Sequence, residues 1–454
     1  MIDSKAASRR NFLKRTAAGT AGLAVLPSVG LERLGASSSR PPALPNAPRV
    51  ADEAYWRDVK AQFIVRDGFI MMNAANLCPA PRTVVDAVAA AMRDEDADVS
   101  FQNREKYSRL WTEVRTRMAK YMGAAEDEVA IVRNTSEANN IVVGGVPLKA
   151  GDDVLLFDEN HPTNNVAWDV RAARYGFTVR KVKIDPASAD TGAIIDAFRK
   201  ALLPNTRVLS ITDVSSNTGV RLPSAELCAL ARERGIWAHV DGAQTLGALR
   251  RDLHALGCDS YSASSHKWFM GPKEAGVLFV RKERCADLWP GVVGVGWGSA
   301  VTTQVPGARK FETLGQRNDA TAAGLAAALD FHDRVGAERI ETRTLELTTA
   351  LHAGLRAMRG AQVVTPARPE MRAGVCVVRF EGREMRPIHE ALYRDHHIAT
   401  APTGGLRFSP HIYNTMADVE RALAAVRGVA GSGFAVIPSA APQGAEARKS
   451  PFSR

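Results

Sequence analysis

Asp241 and Lys267 carry the strongest chemical signal in the chain. Asp241 closes the apolar run Ile236-Trp237-Ala238-His239-Val240, which predicts a buried strand. A carboxylate at the end of such a strand needs a donor or a positive partner. Lys267 follows Ser264-Ser265-His266 and precedes Met270-Gly271-Pro272. A lysine made nucleophilic by desolvation and nearby cations fits that cluster; a solvated strand-end lysine is the plain alternative. An amine able to form a Schiff base and a carboxylate able to keep a pyridine nitrogen protonated are what a pyridoxal 5′-phosphate (PLP) site requires.

Other polar groups fall where such a site needs them, and each has a blander reading. Thr135 and Ser136, beside Asn134, stand where a strand hands over to a helix, so they either cap it or seat a phosphate. Ser264 and His266 can add donors to that phosphate. His161, in Asp158-Glu159-Asn160-His161-Pro162, lies just past an apolar run; it is a surface-loop histidine or an imidazole stacked on a flat ring. Asn217, in Ser215-Ser216-Asn217-Thr218-Gly219, makes a polar turn or donates to a cofactor hydroxyl or substrate carboxylate. Gln244 is three residues past Asp241 and within reach of a ring hydroxyl. Arg407, in Gly404-Gly405-Leu406-Arg407-Phe408-Ser409-Pro410, either holds a substrate carboxylate bidentately or forms a structural ion pair.

The elements that must position these groups follow an α/β pattern. From Glu128, short apolar runs alternate with helical stretches, as in a doubly wound, mainly parallel sheet. Strands are predicted at Val129–Val132, Val154–Phe157, Thr178–Lys183, Arg207–Ile211, Trp237–Val240 and Ala275–Val280. Helices are predicted at Ala138–Val143, Ala193–Leu203 and Ala225–Arg234, and the stretch holding His161 reads as a loop. Upstream, helices are predicted near Ala54–Phe63, Arg82–Asp94 and Tyr107–Met122, with a strand at Phe69–Met72. Residues 311–340 read as mainly helical, Leu345–Met358 as an amphipathic helix, and Val375–Arg379 opens a smaller α/β region. Domain boundaries are expected at 41–75 for an N-terminal segment on the small domain, 76–310 for a large cofactor-binding domain and 311–430 for the small domain.

The formal charge of +10 is concentrated at the ends, +5 on residues 1–40 and +2 on the last fourteen, which leaves +3 between them. That remainder argues against nucleic acid as a partner. Residues 1–40 read as an address: Ser8-Arg9-Arg10-Asn11-Phe12-Leu13-Lys14 and a short apolar run resemble a twin-arginine signal peptide. Export to the periplasm by the twin-arginine machinery is the expectation, with no stable membrane span because the run is short and glycine-rich. Residues 431–454 are rich in Gly, Ala, Ser and Pro and are expected to be disordered. The five cysteines show no CxxC spacing, so neither a metal site nor a disulfide framework is indicated.

DGAQTLG, SSHKWFMGP and LRFSPHIYNT together resemble the class V aminotransferase family of PLP enzymes over roughly residues 50–428. The resemblance implies the PLP-dependent transferase fold type I: a large domain with a seven-stranded-type sheet, a smaller C-terminal α/β domain and a homodimer. It implies that Lys267 is the Schiff-base lysine, Asp241 the partner of the pyridine nitrogen, Gln244 a contact of the ring hydroxyl and His161 the stacking residue. Thr135, Ser264 and His266 match the phosphate ligands, Asn217 the active-site asparagine and Arg407 the arginine for the substrate carboxylate. Two departures narrow the activity. Desulfurases of the family carry a loop cysteine where this chain reads HHIATAPTGGLRFS, which disfavours that activity. In the epimerase-like segment Phe311–Asp319, Gln316 replaces a threonine that in the family reaches a neighbouring subunit's phosphate. The expected activity is an aminotransferase acting on an amino acid or related amine, with isopenicillin N epimerase-like epimerisation or C–S lysis as alternatives and a non-catalytic PLP-fold protein as a further one.

Overall fold

The structure, a computed structural model, describes residues 44–46, 48, 50–187, 190–294 and 305–431. The expected signal over residues 1–40 and the expected disordered tail beyond Gly431 lie outside these residues. The elements begin with α1 (Glu53–Ala61), β1 (Ile70–Met71), α2 (Arg82–Ala97) and α3 (Phe101–Tyr121). The chain continues as β2 (Val129–Val132), α4 (Thr135–Gly145), β3 (Asp153–Phe157), α5 (Pro162–Tyr175), β4 (Thr178–Val182) and α6 (Thr191–Ala201). Next come β5 (Thr206–Thr212), α7 (Ser224–Arg232), β6 (Trp237–Asp241), α8 (Leu253–Leu256), β7 (Ser260–Ser264) and β8 (Gly276–Val280). The C-terminal part holds α9 (Ala320–Val335), α10 (Ala337–Arg356), β9 (Ala361–Val363), β10 (Cys376–Phe380), α11 (Met385–His396), β11 (Ile398–Ala399), β12 (Leu406–Phe408) and α12 (Met416–Gly431).

The large sheet has seven strands in the order β2-β8-β7-β6-β5-β3-β4. Only β8 runs antiparallel to its neighbours β2 and β7. The other neighbouring pairs are parallel, so β2, β3, β4, β5, β6 and β7 end on the same edge. Successive residues of a strand face opposite sides of a sheet, and the strands are apolar on both. Val129 and Ile131 join Leu155, Phe157, Leu209 and Val240 on one face; Ala130 and Val132 join Val154, Leu156 and Trp237 on the other. Helix α9 sends Leu325, Ala328 and Leu329 into the first of these clusters. A second, antiparallel sheet has the order β12-β10-β9, and β1 pairs in parallel with β11 beside it.

Helix α10 begins at Ala337 rather than Leu345, and three further boundaries differ from the sequence expectation for a local reason. The stretch read as a loop after Phe157 becomes helix α5 within five residues. His161 is its N-cap, Pro162 supplies a pre-set φ at the first position, Trp168 is buried, and Gly176 ends it in the left-handed conformation. Helix α3 starts at Phe101, six residues earlier than expected, because Ser100 caps it by accepting from the Asn103 amide at 3.2 Å. Helix α4 starts at Thr135 rather than Ala138, with Asn134 Oδ1 accepting from the Glu137 amide at 3.0 Å. Among the described residues no helix is long and apolar enough to cross a membrane, and no cluster of His, Cys, Asp or Glu could hold a metal ion.

Candidate active site

The sheet edge where six strands end collects the polar groups singled out from the sequence. At the ends of β2 and β7, the Thr135 amide donates to Ser264 Oγ at 2.7 Å and the two hydroxyls lie 2.6 Å apart. Asn134 therefore does the capping, and Thr135 turns to Ser264. Beside them His266 Nδ1 is buried with no hydrogen-bond partner among the described residues. Burial, reinforced by Lys267 and Lys273, pulls its pKa down to about 4, so the ring is neutral at pH 7. Two hydroxyls, an orphaned imidazole nitrogen and the first turn of an eleven-residue helix fit a phosphate group. Ser136 also sits in that turn, but its side chain is exposed.

Asp241 lies at the end of β6 and is 2 % exposed. Its Oδ1 accepts from the Ala243 amide at 3.0 Å and its Oδ2 from Asn139 Nδ2 at 2.9 Å. The turn after it requires Gly242, since a Cβ there would lie 1.9 Å from Tyr261 Cζ. Asn139 was not visible as a site residue in the sequence. The available signal was its position four residues after Thr135, on the same face of α4. Gln244 Oε1 accepts from Trp268 Nε1 at 2.8 Å and its Nε2 donates to the Ala75 carbonyl at 3.0 Å, which leaves one amide proton for a ligand.

A cavity of about 980 Å³ opens over this edge, and His161, Asn217, Gln244, Lys267 and Arg407 line it. Thr135, Ser136, Asp241, Ser264 and His266 are not in its lining; of these, Asp241 and His266 interact electrostatically with Lys267 on it. The Lys267 amine makes no hydrogen bond to any described residue. Desolvation lowers its pKa, Arg407 adds to the fall and Asp241 opposes it. His161 is likewise lowered by desolvation and by Lys267, and its Nδ1 lies 2.8 Å from Thr163 Oγ1, leaving the ring edge with Nε2 for the cavity.

The turn carrying Lys267 is held firmly. Met270, at φ 55°, is in the left-handed region and donates its amide to the Lys267 carbonyl at 2.9 Å. Two buried histidines brace the same turn: His332 Nε2 is 3.0 Å from the Phe269 carbonyl, and His411 Nε2 is 2.8 Å from the Trp268 carbonyl. Burial pulls their pKa values down to about 4 and about 3. Both are neutral in the folded state, whereas histidines of the unfolded chain protonate near pH 6.5. Stability is therefore full above that pH and falls as pH drops toward 4, at roughly 1.4 kcal/mol per pH unit for each histidine. Melting temperature against pH checks this, and an unchanged value between pH 6.5 and 4.5 would count against it.

Arg407, on β12, donates from Nη1 to the Ser216 carbonyl at 3.0 Å and from Nη2 to Asn73 Oδ1 at 3.1 Å. It has no acidic partner among the described residues, and its Nε is buried without a hydrogen bond. The ion-pair reading is therefore set aside. Desolvation pulls its pKa down to about 10, a penalty that a bound carboxylate would relieve. Neither Asn73 nor Glu159 stood out in the sequence, although an acid directly after an apolar strand is a usable signal. Glu159 Oε2 accepts from Ser215 Oγ at 2.5 Å and Thr218 Oγ1 at 2.6 Å, and Ser215 Oγ accepts from the Asn217 amide at 3.0 Å. Glu159 thus pins the loop that presents Asn217 and the Ser216 carbonyl behind Arg407. Glu159→Ala is expected to raise KM about tenfold for a carboxylate substrate with a smaller change in kcat; steady-state kinetics check the split, and an effect on kcat alone would contradict it.

All five cysteines are buried and free. Cys376 lies within β10, where burial pushes its thiol up to about 12, so it is not a mobile nucleophile. Gln316, the replacement noted in the sequence, is tied within its own chain, accepting from Arg104 Nη2 at 2.9 Å and donating to the Arg317 carbonyl at 2.8 Å.

A lysine just past β7 and an aspartate at the end of β6, on a mainly parallel seven-stranded sheet flanked by helices, define a PLP-dependent enzyme of fold type I. The chain belongs to the class V aminotransferase family, whose model matches residues 71–422. It is 31% identical to an isopenicillin N epimerase of Amycolatopsis lactamdurans over 393 residues, which cover 82% of this chain and 98% of that one. It is 28% identical to a probable cysteine desulfurase of Methanothermobacter thermautotrophicus, covering 83% of this chain and 98% of the other. Among solved structures, the fold is similar to the cystine C-S lyase C-DES, with a TM-score of 0.74 at 24% identity over 79% of this chain and 97% of that one. A cysteine desulfurase from Thermococcus onnurineus NA1 gives 0.75 at 23% identity over 85% and 99%. The cofactor is PLP.

Proposed function

We propose that the chain acts at the α-carbon of an amino acid or closely related amine, with Lys267 as the proton carrier and Arg407 as the carboxylate clamp. The observation that carries this reading is that both open into one cavity, the amine free of hydrogen bonds and the guanidinium free of any acidic partner among the described residues. Bound PLP supplies a ring that stabilises negative charge developing at the substrate α-carbon. Thr135, Ser264 and His266 would hold its phosphate, Asp241 its ring nitrogen and Gln244 its ring hydroxyl, with His161 against the ring face. Arg407 binds the substrate carboxylate and fixes which bond at the α-carbon faces the lysine. Lys267, its pKa lowered by desolvation, takes the α-proton and returns it.

Return of the proton away from the α-carbon makes the enzyme an aminotransferase, the first reading. Return to the opposite face of the α-carbon makes it an epimerase, a second reading favoured by the 31% identity to isopenicillin N epimerase over nearly its whole length. A desulfurase is disfavoured because every cysteine is buried. The test is incubation of the PLP-loaded protein with L- and D-amino acids in D₂O. Accumulation of the cofactor's amine form supports the aminotransferase; inverted, deuterated amino acid with the pyridoxal form retained supports the epimerase. Absence of α-proton exchange with every amine would defeat both.

The reading extends to location and assembly. Arg9-Arg10 and the apolar run after them support export by the twin-arginine machinery to the periplasm. Exchange of both arginines for lysine is expected to leave the protein in the cytoplasmic fraction, and unchanged fractionation would contradict that. Exposed Val99 and Phe101, the latter 88 % exposed, support a homodimer that covers them.

A further inference from the structure

Beneath Asp241 lies a hydrogen-bonded chain of buried side chains that the reaction itself does not use. Asn139 Nδ2 donates to Asp241 Oδ2 at 2.9 Å, and Asn139 Oδ1 faces His239 Nε2 at 2.9 Å. His239 Nδ1 lies 2.9 Å from Ser260 Oγ, which accepts from Trp237 Nε1 at 2.9 Å. Ser262 Oγ also donates to Asn139 Oδ1. None of these side chains is more than 2 % exposed.

The direction of each proton follows from the chemistry of the groups. An indole nitrogen only donates, so Ser260 accepts from Trp237 and has its own proton free to give to His239 Nδ1. The amide of Asn139 cannot turn its oxygen toward Asp241 without setting acceptor against acceptor, so its nitrogen faces the carboxylate. Its oxygen then faces His239, which must donate from Nε2. That assignment requires a neutral ring with the proton on Nε2, and burial agrees by pulling the His239 pKa down to about 4. Each of these links sets one donor against one acceptor, and reversing one sets acceptor against acceptor further along the chain, at a cost that buried networks do not tolerate.

We propose that Asn139 is a positioning residue for the cofactor, and that Trp237, Ser260 and His239 fix its amide so that Asp241 stays aimed at the PLP ring nitrogen. The proposal rests on Asp241 being the partner of that nitrogen, and it makes no use of the substrate. Strands β6 and β7 build the relay directly, because His239 pairs in register with Ser260 and Asp241 with Ser262.

The test is PLP titration of the apo protein, read by dissociation constant and by the visible absorbance of the bound cofactor. Asn139→Ala is expected to weaken PLP binding about tenfold to a hundredfold and to shift the absorbance band, as loss of a hydrogen bond to a charged group would. Ser260→Ala is expected to produce the same band shift to a smaller extent, and Ser260→Thr, which keeps the hydroxyl, to restore it. Melting temperature is followed in parallel. Folded Asn139→Ala protein with wild-type affinity and spectrum would overturn the proposal. So would a lowered melting temperature with an unchanged spectrum in both alanine variants, which assigns the network to stability alone. If Asn139→Ala does not fold, Ser260→Ala and the isosteric Asn139→Asp carry the same spectral comparison. Failure of every amine to exchange its α-proton would defeat the amino-acid reading while leaving this titration interpretable.

Discussion

Lys267→Ala protein is expected to fold, to bind PLP more weakly and to lose turnover by at least about a thousandfold. General acid–base transfer by one positioned group contributes about 10² to 10⁴ in rate, and here the same amine also anchors the cofactor. Lysine burial supplies the reason: desolvation and Arg407 favour the unprotonated amine, and the turn held by Met270, His332 and His411 leaves it no hydrogen bond to spend its lone pair on. Lys267→Arg is expected not to rescue, because a guanidinium does not release its proton near neutral pH. Single-turnover rates with a responsive amino donor check both variants. A lysine-free variant that keeps more than about a tenth of wild-type turnover would be incompatible with the assignment.

Arg407→Ala is expected to lower kcat/KM for carboxylate-bearing amines by about a hundredfold, most of it in KM. A charge-assisted bidentate contact is worth about 2–3 kcal/mol, and 1.4 kcal/mol is a factor of ten. The decisive comparison is with an amine that lacks a carboxylate, for which the loss should be small. Arg407→Lys should recover only part of the activity, since one ammonium cannot contact the Ser216 carbonyl, Asn73 and a substrate carboxylate in the plane the guanidinium uses. An equal loss for amines with and without a carboxylate would show that Arg407 supports the cavity wall instead.

Much of this site could be read from the sequence because its principal groups sit at strand ends. An apolar run that stops on Asp241 marks the carboxyl edge of a sheet even before the sheet is known. Arg407 was legible for a similar reason, as a charge inside a short apolar strand. Helix α5 was not, since Pro162 reads locally as a turn, and only its place at the first helical position makes it a helix start. The antiparallel insertion of β8 between β2 and β7 was also hidden, because its partner β2 lies far away in the chain and no local pattern encodes partner choice. Asn139 was missed for a third reason. Its role comes from what packs against the inner face of α4, and in sequence it is one more polar residue in the first turns of a helix.

The Glu159 loop and the Asn139 relay show how the fold holds the reacting groups without touching substrate. One pins the loop behind Arg407, and the other holds the Asp241 carboxylate from α4 and β7. Both depend on side chains from separate elements meeting at one sheet edge.

Lys267 is expected to carry the PLP. Borohydride reduction of the loaded protein, followed by proteolysis and mass spectrometry, reads this directly, since reduction makes the cofactor–lysine link permanent. The pyridoxyl mass is expected on the peptide containing Lys267 and on no other lysine peptide. Its appearance instead on Lys183, which lines the same cavity, or on Lys273 beyond the turn would exclude Lys267 as the carrier.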